Sequence, residues 1–466
     1  MPPNAIRHRL SRPRTAGLWA LIAALVVLAP TLVSHGGAVA ANKAARPQHP
    51  ADASVFTGRG PLRGAVRVSD GRLVDERGPF WALGASYMAA AWFQKHGRAA
   101  LARNLETLSA AGVDYVRVLG AVGGEWWTGR ETDPRWSDYE AIIAGLTDLA
   151  HDRFGLRVAW TLFGDTTQVP TPEARRALVA RFVELAAARP QKLMHFEVAN
   201  EAYQNGFEGA DGLRELRALT DELVRGLRSR GVTLPVASSS PPSASCDDLR
   251  MAASNTAADL ASVHFPRALD GRHGVWGPVL APLSYRECRG TLPVATNGEP
   301  VGPGSSVERE EDPRRLVSAA AVTFVAGLPL YVFHSSAGVR GDVAFADLPN
   351  AVSIFAGLRA LREVLPRHLP TGETITASDD RHPFEGPAPP NGGSGPLLGA
   401  PASLIDAGAV VVIAGERGEL TLTARRAMRV RALDAVRGTW SAPRDLAARD
   451  VLRLAPSEAV IRVVWR

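Results

Sequence analysis

The chain has 466 residues, 46% of them apolar, enough for one large domain with a smaller one beside it and for a sizeable buried core. Its formal charge is +6, but four cations (Arg7, Arg9, Arg12 and Arg14) lie in the first 40 residues, which hold no acid, and the remainder carries 49 cations against 47 acids, or +2. A balance so even argues against a nucleic-acid-binding surface, and with lysine only at Lys43, Lys95 and Lys192 the arginine excess reads as coding bias, not phosphate recognition.

Residues 1–40 read as an export signal. A basic stretch from Arg7 to Arg14 precedes the apolar run Leu18 to Leu28, and Pro30 and the small-x-small site Ala38-Val39-Ala40 follow. The apolar run extends to Val33, which is long for a signal, so an uncleaved membrane anchor is the alternative. Both readings place the bulk of the chain outside the cytoplasm; the first predicts a secreted protein with no membrane contact after cleavage. Cys246 and Cys288 are the only cysteines. In an oxidising compartment they either pair or remain two solitary buried thiols.

Residues 41–63 are rich in Ala, Pro and Gly and read as linker. Residues 64–80 alternate in hydrophobicity around Asp70-Gly71 and Arg77-Gly78, which predicts a small hairpin. From Phe80 short apolar runs alternate with segments of helical period. Strands are predicted at Trp81–Ser86, Tyr115–Leu119, Leu156–Leu162, Leu193–Ala199, Leu234–Ala237, Leu260–Phe265, Leu292–Thr296 and Leu330–Phe333. Helices are predicted at Arg98–Ala111, Tyr139–His151, Pro172–Ala188, Leu213–Arg230, Pro313–Ala326 and Ala351–Leu365.

Eight such units predict an α/β fold, a (β/α)8 TIM barrel over residues 64–365. A doubly wound open sheet is the alternative, weakened by the lack of a glycine-rich phosphate loop after the first strand. Residues 381–402 are rich in Pro, Gly and Ser, and strands are predicted at Val410–Ala414, Leu420–Thr423, Met428–Ala432 and Val460–Val464. Residues 366–466 are therefore expected to form a small C-terminal β-sandwich.

A barrel of this kind carries its chemistry at the C-terminal ends of its strands. Two acids stand there. Glu201 closes the fourth strand in His195-Phe196-Glu197-Val198-Ala199-Asn200-Glu201, and Glu299 closes the seventh in Val294-Ala295-Thr296-Asn297-Gly298-Glu299. Strands four and seven lie on opposite sides of a barrel mouth, so the two carboxyls can converge. Hydrolysis of a glycosidic bond needs such a pair, one protonating the departing oxygen and the other attacking the sugar carbon, about 5–5.5 Å apart for net retention.

In these residues the chain resembles glycoside hydrolase clan A, which includes the cellulase and mannanase families. The resemblance covers roughly residues 64–365 and also takes in Arg117 on the second strand and His264 on the sixth. It implies Glu201 as acid/base and Glu299 as nucleophile, Asn200 on the sugar 2-hydroxyl, and Arg117 holding Glu299 ionised. The chain departs from the clan pattern at Ala202, where Pro is frequent, at Phe265, where Tyr is frequent, and at the end of the eighth strand, where Tyr331, Phe333 and His334 replace a common Trp.

Other readings stand beside these. Glu197 shares the strand phase of Glu201 and fits a buried acid satisfied by an arginine, a role for which Arg117 is available. His264 either lines the site or fills the core. Trp92, Trp126, Trp127, Trp136 and Trp276 fall in segments expected to be loops at the mouth, where indoles stack on sugar rings or anchor loops. Asp165 and Asn297 are candidates for sugar-hydroxyl binding, Asp165 also for a turn cap. No metal or cofactor is expected, and the partner is a carbohydrate. The rivals are a sugar-binding barrel that has lost turnover and a metal-dependent hydrolase built on His195, His264, His334 and Asp165.

Overall fold

The computed structural model describes residues 62–239, 256–264, 274–283, 294–296, 310–367, 369, 375–376, 380–386, 397–401, 408–413 and 419–465. The expected export signal, Cys246, Cys288, Phe265, Asn297 and Glu299 lie outside the described residues. Among the described residues no helix is long and apolar enough to cross a membrane.

The chain enters through three short antiparallel strands, β1 (Arg67–Ser69), β2 (Arg72–Asp75) and β3 (Gly78–Pro79). Asp70 and Gly71 both take positive φ, 50° and 67°, the pair that a tight hairpin turn requires. Val66, Leu73 and Phe80 of this ribbon are fully buried against Ala82, Leu260, Leu330 and other side chains inside the barrel. The ribbon thereby plugs the N-terminal end of the barrel and leaves the opposite end as its mouth.

The main body follows in the order β4 (Ala82–Ser86), α1 (Ala90–His96), α2 (Arg98–Ala110), β5 (Tyr115–Ala121), α3 (Tyr139–Asp148), β6 (Arg157–Phe163), α4 (Pro172–Ala188), β7 (Leu193–Ala199), α5 (Gly209–Ser229), β8 (Val236–Ser239), β9 (Leu260–Val263), α6 (Gly277–Leu280), β10 (Val294–Thr296), α7 (Pro313–Val325), β11 (Leu330–Phe333), α8 (Ser336–Val339) and α9 (Ala351–Val364). The eight described strands β4 to β11 form one sheet, every neighbouring pair parallel, in the order β10-β9-β8-β7-β6-β5-β4-β11. The two strands at the ends of that row, β10 and β11, pack against each other. The row follows chain order without reversing, which separates this TIM-like barrel from a doubly wound sheet.

Strand alternation divides the side chains. Leu83, Val116, Val118, Val158, Trp160, Phe196 and Val198 point outward and are buried under the helices. The inward positions are apolar near the floor and polar near the mouth. Between the two levels lies Tyr115, opposite Gly84 in register; a Cβ on Gly84 would come within 2.3 Å of the Tyr115 ring. The helix starts are specified locally: Thr171 caps α4 by accepting from Ala174 N at 3.2 Å, and Asp312 caps α7 by accepting from Arg314 N at 2.9 Å, each followed by Pro at the first helical position.

The predicted strands and helices up to residue 365 are all present, with ends displaced by up to four residues. The helix α1 was not foreseen, because its seven residues are too few to show a helical period. Trp92, expected in a loop, lies on it.

Beyond the barrel two antiparallel sheets share an apolar core. The larger runs β12 (Ile375–Thr376), β14 (Leu397–Pro401), β15 (Gly408–Ile413), β21 (Glu458–Trp465), β17 (Met428–Asp434) and β18 (Thr439–Trp440), with β19 (Arg444–Leu446) also on β17. The smaller joins β13 (Phe384–Glu385), β16 (Leu420–Ala424) and β20 (Val451–Leu454). Val411, Ile413, Val430 and Ile461 of the first meet Phe384, Leu422 and Leu454 of the second. The other face of the larger sheet, Val410, Val412, Leu433 and Val460, joins the core under α7 and α9, and Trp440 donates its indole N–H to Ala360 O at 2.7 Å.

One contact in this core gives a test of the packing. Phe324 of α7 is fully buried, its ring edge-on to Trp81 at 5.3 Å. Phe324→Ala is expected to cost about 3–5 kcal/mol, read as a lower midpoint in urea unfolding.

Candidate active site

The polar level inside the barrel is built by register. Thr161 on β6 is the register partner of Glu197 on β7, and Ser262 on β9 is that of Ser239 on β8. Arg117 on β5 pairs with Ala159, two residues before Thr161, and so faces the same interior. Four groups converge on the Glu197 carboxylate. Arg117 donates to its Oε2 from Nε at 2.8 Å and from Nη2 at 2.5 Å, Thr161 donates to Oε2 at 2.5 Å, Ser262 donates to Oε1 at 2.5 Å, and His264 Nε2 stands 3.6 Å from Oε1. Glu197 and Arg117 are each 1% exposed. Burial alone would push Glu197 up, but the charge of Arg117 with the hydrogen bonds of His264 and Ser262 outweighs it and holds the carboxyl well below the ordinary range.

This layer carries the end of β7. Asn200 N donates to Phe163 O at 2.8 Å, and Asn200 Oδ1 accepts from Arg117 Nη2 at 3.0 Å. With Oδ1 committed to Arg117, the Asn200 amide has its Nδ2 donor to offer a ligand. Asn205 Nδ2 in turn donates to Asn200 O at 2.9 Å. The next residue, Glu201, takes φ +40°, a left-handed conformation that costs a non-glycine residue of order 1 kcal/mol. Its side chain is 22% exposed, with Oε1 3.7 Å from His264 Nδ1. Tyr203 donates to Oε1 at 3.0 Å and Gln204 Nε2 to Oε2 at 2.9 Å. The structure therefore stacks two carboxylates at the end of one strand, a sealed one bound to a cation and an accessible one above it, with His264 between them.

The other predicted site residues fall in different places. Asp165 accepts from Gly123 N at 3.0 Å and Thr167 N at 2.8 Å, which is the turn-cap role. His334 Nδ1 lies 2.9 Å from Ser86 Oγ, and both side chains are buried. His195 is buried below Glu197, edge-on to Tyr115. Burial pushes its imidazole down to about 4, with Glu197 opposing and Arg117 reinforcing the shift. Among the described residues no group of three or more His, Cys, Asp and Glu is placed to hold a metal ion.

Four of the five tryptophans are engaged with their own neighbours. Trp92 lies between His96, 4.8 Å away, and the Arg130 guanidinium, 4.2 Å from its ring. Trp127 packs on the cluster of Met88, Leu119, Val122 and Val339. Lys95 Nζ sits 5.1 Å above Trp136, and Trp276 is 8% exposed. Trp126 differs: it is 52% exposed, with Arg340 5.1 Å from its ring. Thr161, Ser262, Tyr203 and Gln204 were not singled out in the sequence. Period-2 alternation along the third and sixth strands places Thr161 and Ser262 inward; the two loop residues leave no such trace.

No protein-family profile matches the chain, and no curated protein sequence does. Solved structures similar to it include glycoside hydrolases of several families. An exo-β-1,4-mannosidase from an Opitutaceae bacterium, strain TAV5, is 16% identical over 57% of this chain and 54% of its own, at a TM-score of 0.42, so the chain spans about half the length of that protein. A family 39 β-xylosidase from Caulobacter crescentus is 15% identical over 87% of this chain and 100% of its own, at 0.45. The α-galactosidase I of Mortierella vinacea is 12% identical over 83% and 97%, at 0.48. The fold itself is given by the strand order and register above.

Two outcomes follow from the buried layer. Glu197→Gln leaves Arg117 without its counter-charge and is expected to lower stability by about 3–5 kcal/mol at neutral pH. Because the folded-state carboxyl titrates below its unfolded value, this stabilisation is present above the ordinary carboxylate range and lost as pH falls through the depressed value. The deficit of the variant should thus persist at pH 5 and close only in stronger acid, in urea titrations run at each pH. His195 has the opposite charge and also a depressed value, so it favours the fold above its ordinary 6.5 and withdraws that support as pH falls toward about 4. His195→Phe should flatten stability across that window.

Proposed function

We propose that the chain is a secreted retaining glycoside hydrolase that cleaves O-glycosidic bonds of a β-linked polysaccharide or oligosaccharide. The observation that carries this reading is Glu201: a partly exposed carboxylate just past the fourth strand of a TIM-like barrel, beside an Asn200 amide aligned by Arg117, at the mouth that the entry ribbon leaves open. Glu201 serves as acid/base and Glu299, three residues beyond the end of β10 in the sequence, as nucleophile.

In the first step Glu299 attacks the anomeric carbon while Glu201 gives its proton to the leaving oxygen. In the second, Glu201 as carboxylate takes a proton from water, which attacks the glycosyl ester and releases Glu299. Asn200 supplies a donor for the sugar 2-hydroxyl, a contact that strengthens as the oxocarbenium-like centre forms. Arg117 acts from beneath by fixing Asn200 and the charge of Glu197. Trp126, 52% exposed, is the stacking surface for a sugar, with Asn297 and His264 shaping the cleft. Residues 64–365 form the hydrolase barrel. Residues 366–466, whose two sheets share one core, form a β-sandwich, and residues 1–40 direct export.

The decisive experiment is a screen of the mature protein on β-glucan, mannan, xylan and aryl β-glycosides, scored for the anomeric configuration released. On the substrate found, Glu299→Ala should lose on the order of 10³-fold or more in kcat/KM, and azide should restore turnover with inverted product. Glu201→Gln should cost about 10²–10⁴-fold on substrates with poor leaving groups and far less on dinitrophenyl glycosides, which leave without a proton. If both variants keep wild-type rates, the assignment fails.

A further inference from the structure

The loop that follows β7 doubles back on the residue it has just placed. Gln204 N donates to Glu201 O at 2.9 Å, closing a turn, and the side chains of that turn reach the Glu201 carboxylate from two sides. Tyr203 OH takes Oε1 at 3.0 Å and Gln204 Nε2 takes Oε2 at 2.9 Å. Each carboxylate oxygen therefore meets a donor supplied within three residues of its own Cα.

We propose that Tyr203 and Gln204 are positioning residues, a latch that holds Glu201 in its ionised, hydrogen-bond-accepting form and so sets the pH at which it takes up a proton. The proposal rests on the reading of Glu201 as the acid/base of a double displacement. The chemistry is one of donors and acceptors. A phenol and an amide N–H bind a carboxylate more strongly than a carboxylic acid, so both bonds favour the charged form. A proton on Oε2 would meet the Gln204 amino group, which cannot accept it. On the Oε1 side stands His264, its Nε2 3.6 Å from Glu197 and its Nδ1 3.7 Å from Glu201.

Among the described residues, the groups facing Glu201 are thus Tyr203 and Gln204 from its own loop and His264 past β9. Behind these stand Glu197 on β7, and Arg117 on β5, which reaches Asn200. Ser239 on β8 supports the turn, accepting from Ala202 N at 3.4 Å. The latch opposes the protonated form, which the first half-reaction uses, and favours the carboxylate, which the second uses to draw a proton from water. Gln204 is exposed and Tyr203 half-buried, so solvent competes more with the amide, and the phenol carries the larger share.

The test reads Glu201 directly. In the full chain, pH-difference infrared spectra contain the carboxylic-acid C=O band of Glu201, identified by its loss in Glu201→Gln. The expected result is a titration midpoint raised by about half a unit or more in Tyr203→Phe, by less in Gln204→Met, and by the most in the double variant. Gln204→Met, at an exposed position, keeps the test intact if Tyr203→Phe folds poorly. Midpoints that stay at the wild-type value in both single variants overturn the latch. In parallel, the alkaline limb of the kcat/KM profile on 4-nitrophenyl β-glycosides should move to higher pH in the same order, because removing a donor raises the pH at which the acid loses its proton. If the infrared midpoint moves and the alkaline limb does not, the latch stands and Glu201 is not the acid. If the limb follows Glu201 in the wild type and neither variant shifts it, the latch is wrong and the acid assignment stands.

Discussion

The arrangement at the mouth of this barrel depends on a buried ion pair. Arg117 and Glu197 are both sealed from solvent, and isolating either would be strongly unfavourable. Their mutual charge offsets only part of the cost of removing them from water. The rest is met by the hydroxyls of Thr161 and Ser262, which occupy the remaining acceptor positions of the carboxylate. The result is a fixed negative centre below the mouth with a fixed guanidinium beside it. From that pair Asn200 takes its orientation, and His264 stands between Glu197 and Glu201. A structural ion pair inside the barrel thus becomes the reference against which the accessible carboxylate is placed.

This explains how Glu197 and Glu201, four residues apart on one stretch of chain, come to differ. Both are carboxylates at the end of β7, yet one is locked as an anion by its surroundings and the other is met by solvent, an imidazole and two neutral donors. The difference comes from depth and neighbours alone. Among the described residues Arg117 meets Glu197 and Asn200, and through them it shapes the surroundings of Glu201.

Much of the fold was legible because the sequence repeats a simple physical pattern. Strands buried on both faces read as apolar runs, and the helices between them carry clear caps at Thr171 and Asp312. The polar layer was half legible. Glu197 announced itself as an acid inside an apolar strand, and Arg117 as a cation available to meet it. What could not be read was the course of the chain after Asn200. The positive φ of Glu201 and the return of Tyr203 and Gln204 are consequences of three-dimensional closure, with no glycine or proline to mark them. The indoles misled for a related reason: position in a loop near the mouth says nothing about which face is covered, and Arg130 and His96 cover Trp92.

The close approach of Tyr115 to Gly84 has a wider effect than the packing of one ring. The ring tops the apolar cluster that packs on the entry ribbon, and the layer of hydroxyls and charges around Glu197 lies further along the strands toward the mouth. His195, two residues before Glu197 on the same strand, lies buried with its ring edge-on to Tyr115, so the same side chain that meets Gly84 also walls off the imidazole. A single absent methyl group at position 84 is thus what lets an aromatic ring cross the barrel where the apolar floor gives way to the polar layer.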